Sequence, residues 1–560
     1  MESLFEFATP ERLTKLLIKE RAKCRRRNRS EYSSKKKNEK KNEKKSKKKN
    51  RRRLNRDCDI DSLSTRKVLS RIMPPRYTWV RPSKRIYLKN GAMDTSKNAE
   101  KALWLTIKRD RDKRGKGPHI YLKELDAFIS RIQQRLMMPQ LTFETPQLMP
   151  IYKSHKQLQD GTRVVTCRPL SVYTRLEDKI IVAITSRYLT RFLDKHLHQN
   201  ILSYRNSRTF YGEQHHTTDF NDGIKLIEAF RAKQGQNNIY VADCDIKKFY
   251  DTIPHHVVIE SFKRILDKTR LYYEGKEQVM RVIRAYLNSY NFYTNAWLEA
   301  ESNPIVFFKV RRRMHDTNHR NTYQLGWVDD IMTLPEEERR LRGVPQGGAL
   351  SLVVANVVLN DVDQVIVNKI DENCLFIRYC DDMILMHTHR DKCTQLMKAY
   401  TQSLTDHGLY YHDFESVTNS KDPANPEITN SHFWEIKSHA TFLWGDGEGN
   451  SNRYIGFLGY EMQRDGRMRL RKDNIKRFKE KTNRLFYALQ RYQNNDKKTD
   501  EEKAEHKKKT LKNLMEGLCF YTAFDQERFQ RGKQFKLLKK LRDKLEARLA
   551  KQQQQKQQSN

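Results

Sequence analysis

The sequence predicts a mixed α+β fold, and three observations carry that expectation. Strand-like and helix-like runs alternate along the chain without the regular βαβ repetition of a doubly wound parallel sheet. The run "NIYVADCDI" at 238–246 is short, partly β-branched and ends in acids, so it reads as a buried strand with a polar end. The run "FIRYCDDMILM" at 376–386 is apolar on both sides of two adjacent aspartates, and so reads as a buried hairpin with a charged tip.

The remaining elements follow from the same spacing rules. Residues 175–197, "RLEDKIIVAITSRYLTRFLDKHL", place apolar residues at helical intervals. "PHHVVIESFKRIL" at 254–266 reads as a helix with proline at its start. The most apolar stretch, "LSLVVANVVL", is interrupted by Asn356 and reads as a buried helix rather than a membrane span, which needs about 20 apolar residues. From about 471 onward two basic amphipathic helices are expected, joined by a charged linker.

Composition limits the function classes. The 560 residues carry a formal net charge of +41. Such an excess suits work on a polyanion, because each phosphate neutralised by Lys or Arg releases condensed counterions. A solvated basic surface accounts for part of it. Residues 21–56 form a Lys/Arg/Asn run with almost nothing apolar to bury, so a disordered arm is expected, either binding nucleic acid or acting as a solubilising tail. The eight cysteines are scattered without a CxxC pair, the pattern of reduced thiols in a cytoplasmic protein. The first residues lack the apolar centre of a signal peptide, and no membrane association is expected.

The acids raise a chemical question, since adjacent carboxylates repel inside an apolar hairpin. Asp243 and Asp245, two apart on a strand, point to one face. In the hairpin, Cys380, Asp381 and Asp382 are expected in the turn. Brought together, such acids could hold two divalent cations, the recurring arrangement for in-line phosphoryl transfer. Mg²⁺ in particular takes a few carboxylates and completes its shell with water and phosphate oxygens. Paired acids at a turn also serve simply as solvent-facing or capping groups.

At this point the motifs resemble a known family. "YCDD" at 379–382 looks like the catalytic hairpin of reverse transcriptases, and "DIKKFYDTIPH" at 245–255 resembles their first palm motif, most closely in its prokaryotic, group II intron-like version. "RGVPQGGALSLVVANVVLN" at 342–360, "RPLSVYTRLEDKII" at 168–181, "SYRNSR" at 203–208 and "IGFLGYEM" at 455–462 are similar to further motifs in the family's order. Together they cover about 150–465.

The resemblance implies a right-hand polymerase with fingers, palm and thumb, an antiparallel palm sheet and a helical thumb. Its expected layout is a basic extension at 1–60, a helical region at 61–145, fingers at 146–240 and a palm at 241–465 with an insertion near 262–341. A thumb at 466–548 and a disordered tail at 549–560 complete it. The implied metal ligands and catalytic acids are Asp245, Asp381 and Asp382, with two Mg²⁺ ions for which Mn²⁺ can substitute. Asp243 has no matching role. Arg168, Lys153, Tyr250 and Gln346 are implied at the nucleotide, with Tyr250 beneath its sugar, where a ring excludes a 2′-hydroxyl. Gly347, Gly348, Phe457, Leu458 and Gly459 are implied at template and primer.

The sequence also departs from the family pattern. Gly348, Ala349 and Leu352 replace its usual Ser-Pro and second Pro, and Lys421 and Lys437 are both open as its general-acid lysine. The implied activity is RNA-directed DNA synthesis from dNTPs on an RNA template, expected to be a partner non-coding RNA, with DNA as product. The bacterial defence-associated enzymes are the most similar group, which gives an expectation of antiphage defence; a homo-oligomer is left open. Template-independent or protein-primed synthesis by the same site is the alternative, and a non-catalytic RNA-binding protein on a polymerase fold is the alternative of another class.

Overall fold

The computed structural model describes residues 2–23, 60–87, 93–112, 119–205, 208–210, 213–215, 220–309, 321–326, 329–415, 433, 436–445 and 451–471, with isolated positions beyond. The centre of the expected basic arm, Lys421, most of the expected thumb and the C-terminal tail lie outside the described residues.

In chain order the elements used below begin with helix α1 (Thr95–Asp112), strands β1 (Gln147–Gln157) and β2 (Arg163–Val172), and helices α2 (Leu176–Leu193) and α3 (Phe220–Gln234). Next come strand β3 (Tyr240–Asp245), helices α4 (His255–Asp267) and α5 (Tyr273–Asn288), strand β4 (Asn321–Leu325) and helix α6 (Ala349–Val367). Strands β5 (Cys374–Tyr379) and β6 (Asp382–His387) form the hairpin, followed by helix α7 (Arg390–Asp406). Strands β7 (Ser438–Trp444), β8 (Ser451–Asn452), β9 (Tyr454–Phe457), β10 (Tyr460–Gln463) and β11 (Met468–Leu470) close the set. The mixture is α+β, and the chain divides into two compact units.

The first unit comprises Met1–Thr218, Ile246–Lys369 and Ala399–His412. Its centre is α6, whose apolar residues face inward on all sides because α2 and α4 pack against it. Among the described residues α6 is the one helix long and apolar enough to cross a membrane, but 72% of its most apolar window is buried within the protein. Asn356, the residue that interrupts the run, is buried and satisfied on both sides: its Oδ1 accepts from Ser203 Oγ at 3.1 Å, and its Nδ2 donates to Ser203 O at 2.8 Å.

Within 262–341, which the sequence suggests as an insertion, the described residues contribute to this core. Helix α5 buries Val279, Met280, Ile283, Tyr286 and Leu287, at the spacing that places them on one face, and it packs on α2 and α4. Strand β4 pairs in parallel with β2, completing a three-stranded sheet with β1. The helical period of α5 is plain in its sequence; what the sequence does not show is that this face packs on α2 and α4.

The second unit comprises Asp219–Asp245, Ile370–Lys398 and Asp413–Asn560. It is built on a sheet in the order β8-β7-β3-β6-β5, with a short strand at Phe414–Glu415 pairing to β7. The ladders β7–β3, β3–β6 and β6–β5 are antiparallel. Strands β5 and β6 read as continuous apolar runs because almost every residue in them is buried.

One turn in the first unit cannot accept a side chain. Gly343 sits at φ +93°, and a Cβ there would lie 2.9 Å from Phe292 Cβ and 3.0 Å from both the Asp251 carbonyl and the Phe292 amide nitrogen. Backbone bonds from Gly343 to Ile253 and from Val344 to Tyr250, each 2.8 Å, leave it no room to retreat. Gly343→Ala is therefore expected to cost at least about 2 kcal/mol from the left-handed backbone and the backbone clash. In a unit of this size that corresponds to a fall of about 3 °C or more in melting temperature, checked by thermal unfolding followed by circular dichroism.

Candidate active site

The second unit gathers acids at the polar end of its sheet. In the β3–β6 ladder Asp245 pairs with Asp382 and Asp243 with Ile384. Strands β5 and β6 are joined by a two-residue turn, Cys380–Asp381, since Tyr379 pairs directly with Asp382. Asp382 is thus not in the turn, as the sequence suggests, but is the first residue of β6: the ladder hydrogen bonds extend one residue further toward the tip than the hydrophobic pattern reveals. Cys380 takes φ +59°, a left-handed conformation that costs a non-glycine residue about 1–2 kcal/mol. Arg378, wholly buried, donates from Nη1 to the Cys380 carbonyl at 2.8 Å and so holds the turn.

Electrostatics follow from this crowding. The Asp382 carboxyl is pushed up to about 7, by desolvation and then by the neighbouring Asp381, Asp245 and Asp243, with Arg471 acting in the opposite sense. The repulsion is the firmer cause, because the residue keeps solvent-exposed surface. Among the described residues no three His, Cys, Asp or Glu side chains close around one point. The acids nevertheless fit Mg²⁺, which needs only a few carboxylates and completes its shell with water and phosphate oxygens. Their mutual repulsion is what a cation would relieve.

Strand β7 supplies groups that the sequence did not single out. Ser438 Oγ accepts from the Asp245 amide at 3.1 Å. Asp243, assigned no role from the sequence, accepts from the His439 amide at 3.1 Å and lies 2.8 Å from the ring Nδ1, while Nε2 lies 2.9 Å from the Phe433 carbonyl. Burial works against a charged ring, but Asp243 and that carbonyl outweigh it and raise the His439 pKa. Nothing in the local pattern around His439 marks it, because its partner is 196 residues away. Of the two lysines left open, Lys437 Nζ lies 3.9 Å from Asp245 Oδ2.

The β9–β10 turn carries the expected primer-contacting residues. Leu458 and Gly459 both have positive φ, at +49° and +88°, as type I′ hairpins require. The Gly459 carbonyl accepts from the Arg471 amide at 3.1 Å and from Asn474 Nδ2 at 3.0 Å. Phe457 is buried in the core, while Leu458 and Gly459 at the turn are half-buried.

The first unit holds a separate cluster of mainly positive charge. Asp251 is buried and accepts a hydrogen bond from Gln346 Nε2. Burial pushes its carboxyl up to about 6, against the pull of Lys248, Gln346, Lys153 and Arg168. Desolvation lowers the Lys248 pKa and Arg168 adds to that, while Asp251 opposes it. Lys153 is the extra residue of a bulge in the β1–β2 ladder between Tyr152 and Ser154, and Arg168 lies on β2. Gln346 is fixed by its main chain, which accepts from the Ser171 amide at 2.9 Å. Gly347, at φ +84°, lets that loop approach Leu170, whose Cδ1 would lie 2.2 Å from any Cβ, and Gly348 is the N-cap residue of α6. Tyr250 is half-buried, its ring packed edge-on to Phe249 at 5.2 Å.

Residues 285–414 match the family model described as reverse transcriptase (RNA-dependent DNA polymerase). A comparison with curated proteins gave no match. Among solved structures, telomerase from Candida albicans in complex with a TWJ fragment of telomeric RNA aligns over 82% of this chain and 72% of that chain, at 12% identity and TM-score 0.34. Apo telomerase from Candida tropicalis aligns over 87% of this chain and 80% of that chain, at 13% identity and TM-score 0.35. Neither superposition is close enough to bear on function.

Asp251 has a measurable consequence. Its native pKa of about 6 lies above the value near 4 of an unfolded aspartate, so between those limits the unfolded chain has lost a proton that the native one retains. Stability therefore falls as pH rises through that window, by at most about 3 kcal/mol. Asp251→Asn keeps an acceptor for Gln346 and removes the ionisation. The variant should gain melting temperature relative to wild type as pH rises from 4 to 6, with a constant difference above about 7, checked by thermal unfolding across that range.

Proposed function

We propose that this reverse transcriptase, an RNA-dependent DNA polymerase, extends a primer 3′-hydroxyl with dNTPs on an RNA template, using Asp245, Asp381 and Asp382 as its catalytic acids. The observation that carries the reading is the ladder pair Asp245–Asp382 with Asp381 at the adjoining turn. In the reaction the 3′-oxygen attacks the α-phosphorus of the dNTP, a new phosphodiester bond forms and pyrophosphate leaves.

Reverse transcriptases use divalent metal ions, and here the three aspartates would hold two, Mg²⁺ or Mn²⁺. When bound, such ions activate the attacking oxygen and stabilise the leaving one. Arg168 and Lys153 would hold the triphosphate, a task suited to a planar, permanently charged guanidinium and a mobile ammonium. Lys248 adds a third cation near Asp251. Tyr250 would sit beneath the sugar and exclude ribose by overlap, while Gln346 would contact the new base pair. Gly347 and Gly348 would allow the template to approach the backbone. Leu458 and Gly459, with Phe457 anchoring their turn, would seat the primer end.

We further propose a partner non-coding RNA as template and bacterial antiphage defence, in the cytoplasm, as the setting. The prokaryotic version of the motif at 245–255 and the net charge of +41 support this reading. Sequencing the nucleic acid that copurifies with the protein from its host tests it: one RNA matched by complementary DNA is expected, and homopolymer made without template would select the alternative chemistry.

Two substitutions test the site. Asp381→Ala should lower primer extension by about a hundredfold or more while RNA affinity stays unchanged, measured by extension assays alongside filter binding. If that variant extends primers at the wild-type rate, the assignment is wrong. Tyr250→Ala should leave dNTP extension measurable and raise the relative use of rNTPs by about tenfold or more, read from kcat/KM for the paired substrates.

A further inference from the structure

The segment 74–87 runs between the helix at Ile60–Ile72 and α1 with a single 3₁₀ turn, Arg76–Thr78, and a bend at Ser83–Lys84, and otherwise lacks regular structure. Its backbone is tied down along its length. The Trp79 indole donates to the Pro74 carbonyl at 3.0 Å, and the Val80 amide donates to Thr106 Oγ1 at 2.9 Å. The Ile86 amide donates to Asn98 Oδ1 at 3.0 Å, and Asn98 Nδ2 returns a bond to the Ile86 carbonyl at 2.7 Å. Lys101 Nζ donates to the Lys84 carbonyl at 3.2 Å. Pro74, Pro75 and Pro82 stiffen it further. Helix α1 thus holds the strap through main-chain groups and leaves its outward side chains uncommitted.

Those side chains are of two kinds. Arg76, Arg81, Lys84 and Arg85 are exposed, and among the described residues none of them enters an ion pair. Tyr77 is 89% exposed and Tyr87 is 57% exposed. No Asp or Glu occurs anywhere from 62 to 93, so the positive charge has no compensation along the sequence. An ordinary solvated surface interleaves carboxylates with its cations and rarely leaves two tyrosines in water on one pre-ordered segment.

We infer that the strap at 76–87 is a binding site for single-stranded nucleic acid, with its four cations tracking the phosphates and Tyr77 and Tyr87 stacking on unpaired bases. Charge alone would accept a duplex equally well. The exposed rings decide for a single strand, because stacking needs a base face that a duplex hides. Pre-ordering by α1 means that little conformational freedom is lost on binding. The inference does not depend on the catalytic acids.

The test uses the full-length protein and short fluorescein-labelled strands of mixed sequence, as single-stranded RNA, single-stranded DNA and duplex, with Kd read by anisotropy across a salt series. Tyr77→Ala and Tyr87→Ala remove no charge, so other basic segments of the chain do not mask their effect. Each is expected to weaken single-strand binding by about fivefold or more, to leave duplex binding unchanged, and to be rescued by Phe. Combined Arg81→Gln, Lys84→Gln and Arg85→Gln should lower the slope of log Kd against log salt by about 2. Whichever of RNA and DNA shows the larger tyrosine effect is the strand the strap serves. Wild-type affinity in the double alanine variant, or an equal loss on duplex, overturns the inference. So does displacement of the strands by polyglutamate with the tyrosine variants unaffected, because an acidic protein would then be the better fit.

Discussion

The register of β3 against β6 is the constraint on which the acidic end of the second unit depends. It sets Asp245 opposite Asp382 and so concentrates like charge where a strand pair would otherwise gain from apolar contact. Carboxylates so placed repel one another, and that repulsion helps to raise the Asp382 pKa. That cost is tolerable because the rest of both strands, Val241 to Cys244 and Met383 to Met386, is a nearly unbroken apolar ladder with a single favourable register. A slip by one residue would reverse every side chain between the two faces, so the burial that stabilises the sheet also fixes the acids.

The supporting groups serve the same constraint. Arg378 brings a wholly buried guanidinium to the carbonyl of Cys380, holding a left-handed residue at the tip where Asp381 begins. On the other side of β3, Asp243 and Ser438 tie β7 in through the His439 and Asp245 amides. These bonds cross the sheet rather than run along it, so the acidic end is braced from both neighbouring strands.

The first unit uses the opposite sign. Lys153, Arg168 and Lys248 all act electrostatically on one buried carboxylate, Asp251, and the excess of cations suits an anion bearing several charges. The loop at 342–348 is stitched to 250–253 by main-chain bonds from Gly343 and Val344, which is why Gly343 has to be glycine and why Gln346 reaches Asp251. The strap at 74–87 follows the same economy of design: its main chain bonds to α1, which frees its side chains for a partner.

The sequence by itself determined the α+β class, the buried strand at 240–245, the hairpin with its acidic tip and the core helix around Asn356, because each is a local pattern of apolar spacing and charge; the roles of Asp245, Asp381 and Asp382 came from resemblance to a family. It did not show the core role of α5, whose helical period is plain, because α2, on which that helix packs, is distant in the chain. It also placed Asp382 one residue outside its strand, since where a ladder ends is decided by partner strands and not by hydrophobicity. Only the tertiary structure paired Asp243 with His439 and Gln346 with Asp251. Those pairs are 196 and 95 residues apart, and no local propensity encodes a hydrogen bond whose partner arrives by chain folding.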